Sequence, residues 1–104
     1  MITAVIRYLA TRYFNITAAQ ATHNIFAYPA VLCRVVITTA GTTAVVFYDN
    51  AVGNTSGNII GALPATTTVG QSFDFEVPAV LGISSSGAAG TPAYTMTIAP
   101  TMYQ

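Results

Sequence analysis

The chain is 104 residues long, 53% hydrophobic and 6% charged, with three arginines, three acids, no lysine and a formal net charge of zero. That length supports one domain with one core. Three cations cannot neutralise a run of nucleic-acid phosphates. No apolar run reaches the roughly 20 residues needed to span a bilayer.

Soluble domains carry roughly 25% charged residues, so a surface this short of charge has to be built from Thr, Ser, Asn, Gly and Ala. Such a surface is weakly protected against association, which predicts that partners cover much of it.

The opening MITAVIRYLATRYF has no basic region before an apolar run and carries Arg7 inside the apolar stretch, unlike a secretion signal. Ile2, Val5, Ile6, Leu9 and Tyr13 fit helical spacing, but the β-branched and aromatic content favours an extended segment. Residues 1–13 therefore read as an N-terminal arm, extended in preference to a short helix, ahead of one β-sandwich domain over 14–104. The echoed pairs Arg7-Tyr8 and Arg12-Tyr13 are candidate partner contacts, since Arg and Tyr are enriched among interface anchors.

Alternation at Phe14, Ile16 and Ala18 predicts a strand, then a polar bend over 20–24 and a short strand over 25–28 stopped by Pro29. His23 falls in that bend. It has no Cys, His or carboxylate at ligand spacing and reads as a surface or hydrogen-bonding residue.

The stretch LCRVVITTAGTTAVVFYDN, residues 32–50, predicts a β-hairpin closed by Thr39-Ala40-Gly41, with Gly41 in the left-handed position. In that register Val35 opposes Val45 and Cys33 opposes Phe47, placing both pairs on the core face with Ile37. The reverse face would carry Arg34, Val36, Ala44, Val46 and Tyr48, too apolar to meet only water. A single core-facing Cys33 excludes an internal disulfide.

Residues 49–57, DNAVGNTSG, read as a turn-rich connection with an Asx turn. One carboxylate without a bidentate Glu does not make a calcium loop. Residues 58–63 form a short strand ended by Pro64. Over 71–77, Phe73, Phe75 and Val77 alternate with Asp74 and Glu76, which predicts a strand with one wet face. The two acids lack the cleft and polar partners of a glycosidase pair and read as contact charges, opposite an arginine or in solvent. Residues 82–92 read as an exposed loop, and 93–99 as a last strand with Tyr94, Met96 and Ile98 on one face.

Seven or eight short strands, regular turn signals and no βαβ alternation predict an all-β fold, an antiparallel β-sandwich or jelly roll. No catalytic group, cofactor site or metal site is readable: one His, one Cys and three acids give no nucleophile, base and orienter at usable spacing.

The segment VLCRVVITTAGTTAVVFYDN, the following Gly57 and Ile60, the FDFEVP strand, Gly82-Ile83 and the closing TMTIA resemble small virion proteins of tailed bacteriophages. The likeness covers about residues 29 to 99. Cys33 stands where that group's pattern carries a polar residue such as His, and residues 1–28 lie outside the likeness.

The resemblance implies a virion structural role, foremost a capsid decoration or cement protein. Such a protein would bridge major capsid subunits on the capsid exterior as a homo-oligomer, a trimer in preference. A tail, neck or fibre component is the alternative. A carbohydrate-binding module is a remote third reading: the chain has no Trp, although Tyr8, Tyr13, Tyr28 and Tyr48 are available. The expected contact residues are Arg7, Tyr8, Arg12, Tyr13, Arg34, Tyr48, Asp74 and Glu76, with neither nucleic acid nor membrane as partner.

Overall fold

A computed structural model describes residues 11–17 and 23–101. Eight strands follow in order: β1 (Arg12–Ile16), β2 (His23–Phe26), β3 (Ala30–Thr39), β4 (Val45–Asp49), β5 (Asn58–Leu63), β6 (Ser72–Ala79), β7 (Ile83–Ser85) and β8 (Ala93–Pro100). They form two antiparallel four-stranded sheets, ordered β1-β8-β3-β6 and β2-β7-β4-β5. Successive strands change sheet at every step except β4 to β5. This is the strand order of a jelly roll. No helix among the described residues is long and apolar enough to cross a membrane.

Period-two patterning builds the core. Val35 and Ile37 of β3, with Tyr94, Met96 and Ile98 of β8, face Val45 and Phe47 of β4, and all seven are buried. The Phe47 ring sits centrally, edge-on to Phe75 at 5.9 Å and to Tyr94 at 5.7 Å between ring centroids. Gly61 on β5 makes room for this cluster, because a Cβ there would lie 2.8 Å from the Phe75 ring. β6 is an edge strand, so Pro78 costs the ladder no hydrogen bond on its outer side.

The predicted 32–50 hairpin is not formed. β3 has both edges occupied, by β8 and β6, while β4 pairs with β5 and β7 in the other sheet. The two strands face each other across the core. Gly41 does not adopt a positive φ. Its connection is instead pinned to neighbouring loops: Gly41 N–H donates to Thr67 Oγ1 at 3.0 Å, and Thr42 N–H donates to the Gly90 carbonyl at 2.8 Å.

Three smaller differences have local causes. β1 takes in Arg12 and Tyr13, because Arg12 pairs with Ile98 and Tyr13 with Thr97. His23 opens β2 opposite Ser85, although it was expected in a bend. β7 lies within the expected 82–92 loop, where Ser84 and Ser85 are buried despite their hydroxyls. Cys33 is buried at a register shift in β3, and the strand on its other flank carries a shift at Glu76, whose φ is 55°.

Candidate contact surfaces

The sandwich presents three surfaces for contact: the outer face of each sheet and the end formed by the 27–29, 50–57 and 80–82 connections. On the outer face of the β1-β8-β3-β6 sheet, registered pairing lays side chains in rows. Asn15, Thr95, Val36 and Ser72 make one row, and Tyr13, Thr97, Arg34 and Asp74 the next. Most of these are small and polar. Thr95 Oγ1 and Asn15 Oδ1 lie 2.7 Å apart in a hydrogen bond donated by the threonine.

Arg34 and Asp74 answer one another. Arg34 Nε donates to Asp74 Oδ1 at 2.7 Å, and both side chains are more than half exposed. Two of the expected contact charges thus meet within the chain. Glu76 is exposed two residues along the same edge strand.

The outer face of the other sheet is apolar along β4 and β5. Tyr48 pairs with Ile59 and Val46 with Ala62, and Ile59 is 64% exposed. Val36 and Val46, expected together on one greasy hairpin face, therefore lie on opposite outer faces of the molecule. The apolar face survives on the β4–β5 side, carried by Val46, Tyr48, Ile59 and Ala62.

At the connection end, two buried polar residues act as staples. The Asp49 carboxylate accepts the backbone N–H groups of Val80, Leu81 and Gly82 at 3.0, 2.8 and 3.3 Å. Burial pushes its pKa up, but the three backbone donors together outweigh that and hold it below its ordinary value. Asn50 Oδ1 accepts from the N–H groups of Val52 and Gly53 and from Ser84 Oγ, while its Nδ2 donates to the Asn54 and Ser56 carbonyls. The Asx turn expected in this loop is present. Asp49 and Asn50 are thus occupied by loop closure and are not arranged around a cation.

In the sequence these two residues are visible as part of the turn-rich 49–57 connection and its Asx turn, whereas the hold of Asp49 on the 80–82 amides is not. Their signal was an acid and an amide ending a buried strand ahead of a glycine-rich loop. Asn24 was missed altogether; its Nδ2 faces Ser84 Oγ at 3.1 Å and the Phe26 and Ile83 carbonyls at 3.3 Å.

A small cavity is lined by Thr17, Ser85, Ser86, Thr91 and Tyr94, among others. The Tyr94 hydroxyl is buried and, among the described residues, meets no partner in hydrogen-bond geometry, although the Ser85 side chain acts on it. Burial pushes its pKa up to about 12, with Ser85 opposing.

Among the described residues no three His, Cys, Asp or Glu side chains gather as a metal group. Tyr13, Tyr28 and Tyr48 lie on three different surfaces and form no shared aromatic platform for a sugar. Arg12 and Tyr13 are exposed on β1, whereas Arg7 and Tyr8 lie outside the described residues. No family model matches the chain, and neither a curated protein nor a solved structure matches it.

Proposed function

We propose that the chain is a structural virion protein of a tailed bacteriophage, a capsid decoration protein that bridges major capsid subunits from the outside. The observation that carries this reading is the β4–β5 face. Val46, Tyr48, Ile59 and Ala62 present an apolar strip on a protein with 6% charged residues, a surface suited to being buried against another polypeptide.

Three further features support it. The residue-level likeness over 29–99 points to that group. The jelly roll is an architecture used by capsid components, although the fold by itself is an analogy. The Thr-rich opposite face, with Arg34 neutralised by Asp74, offers little net charge for salt-sensitive steering. A clamp of this kind works by burying area across subunit boundaries, and a trimer on cyclic symmetry would hide the β4–β5 face in each copy.

The test is quantitative mass spectrometry of gradient-purified particles, with light scattering of the isolated chain. A fixed stoichiometric ratio to the major capsid protein and a solution mass of three chains are expected. An Ile59→Asp variant should remain folded but lose both. Absence from washed particles, together with a monomer at micromolar concentration, overturns the reading.

A further inference from the structure

Tyr94 carries a hydroxyl into the core and holds it there. The residue is 2% exposed, its ring stands edge-on to Phe47 at 5.7 Å between centroids, and its backbone is paired on both sides, with Ile16 of β1 and Ile37 of β3. A ring gripped in this way does not swing out to wet its hydroxyl. Among the described residues that hydroxyl meets no partner in hydrogen-bond geometry. Burying it unbonded is costly, and a phenylalanine would fill the same ring space without that cost.

The cavity beside the ring offers the missing partner a place. It is lined by Tyr94 of one sheet and Ser85 of the other, together with Thr17, Ser86 and Thr91. Ser85 is 2% exposed, and its side chain is the group that acts on the Tyr94 hydroxyl. Ser86 Oγ accepts the Val46 N–H at 2.9 Å, and a hydroxyl that accepts one hydrogen bond still has a proton to give. The space open to the centre of a water molecule is about 10 Å³, roughly the room that one water requires. An internal water also requires about two to four polar partners, and the hydroxyls of Tyr94, Ser85 and Ser86 meet that requirement. The described lining carries no Asp, Glu or His to hold a cation, and its volume is too small for an organic ligand.

We infer that one internal water occupies this cavity and bridges Tyr94 Oη to Ser85 Oγ, tying β8 of one sheet to β7 of the other. The bridge accounts for a tyrosine at an inward-facing position where phenylalanine would pack equally well. It also sits at the root of the 86–92 connection, whose Gly90 carbonyl accepts the Thr42 and Thr43 amides. The water thus steadies the end of the sandwich at which the β3–β4 crossing is fastened. This concerns the interior alone and holds whether or not the protein belongs to a virion.

Oxygen-17 magnetic relaxation dispersion, which counts long-lived internal waters, tests it on the wild-type chain and on Tyr94→Phe. The variant keeps the ring, should fold with little change in its thermal midpoint, and should hold about one water fewer per chain. A crystal structure of the wild type should show a density peak within about 3.2 Å of both Tyr94 Oη and Ser85 Oγ. An unchanged water count in folded Tyr94→Phe overturns the inference. So does a wild-type crystal structure in which the Tyr94 hydroxyl bonds a protein atom directly and the cavity shows no peak. If the variant does not fold, the wild-type density decides by itself.

Discussion

Gly41 packs so closely on Pro92 that a Cβ at position 41 would lie 2.5 Å from the proline nitrogen. This contact ties the β3–β4 crossing to the strand that opens at Ala93, and it needs a glycine for want of space, not for a left-handed turn. Gly41→Ala should therefore cost about 2–3 kcal/mol, since backbone has to move. Gly41→Asn should cost at least as much. In a hairpin turn with positive φ, Asn would be the better tolerated of the two. Thermal melts of both variants distinguish the arrangements.

Asp49 makes stability fall in acid. Its carboxylate, held below its ordinary pKa of 3.8 by three backbone donors that outweigh burial, contributes stability that is fully present above the unfolded value. That contribution is lost as pH falls through the folded value. Asp49→Ala strands the Val80, Leu81 and Gly82 amides and should cost about 3 kcal/mol at neutral pH. Asp49→Asn should flatten the acid limb below pH 4. Urea titrations from pH 2 to 7 measure both.

Tyr94 sets the alkaline limb. Its pKa of about 12 lies above the ordinary 10, so above pH 10 the unfolded chain loses this proton first and stability falls with rising pH. Tyr94→Phe removes a buried hydroxyl that has no partner in hydrogen-bond geometry among the described residues and should be neutral or stabilising by up to about 1 kcal/mol. It should also remove part of the alkaline slope. Denaturation midpoints at pH 7 and 11 give the comparison.

Arg34 and Asp74 should contribute little to folding. Their pair is solvent-exposed, so a double-mutant cycle with alanine should give a coupling of about 0.5 kcal/mol or less, shrinking as salt rises. A coupling above about 1.5 kcal/mol would contradict the exposure of the pair and mean that it is shielded from solvent within the chain.

Individual strands were legible wherever one face meets the core and the other meets water. Phe73, Phe75 and Val77 against Asp74 and Glu76 show this, as do Tyr94, Met96 and Ile98 against Thr95 and Thr97. Pairing was not legible between β3 and β4. Alternation says which side chains point inward, and an inward-facing pair suits two hydrogen-bonded neighbours and two strands facing across a core equally well. Gly41 could not break the tie, because a glycine required by the Pro92 backbone looks the same in sequence as one required by a turn. β7 was hidden because Ser84 and Ser85 read as loop, while Ser84 Oγ is satisfied by Asn24 and Asn50 from distant parts of the chain. The contact surface was half legible. Val46 and Tyr48 stay on one outer face, and Ile59 joins them only through the β4–β5 register.

Cryo-electron microscopy of purified particles tests the central claim most directly. Eight-stranded density fitting this jelly roll should appear on the outer surface over junctions between major capsid subunits, with Tyr48 and Ile59 buried at a protein contact. Six- or twelve-fold density confined to one vertex would instead make the protein a neck or tail component. A shell with no such density anywhere would contradict the account.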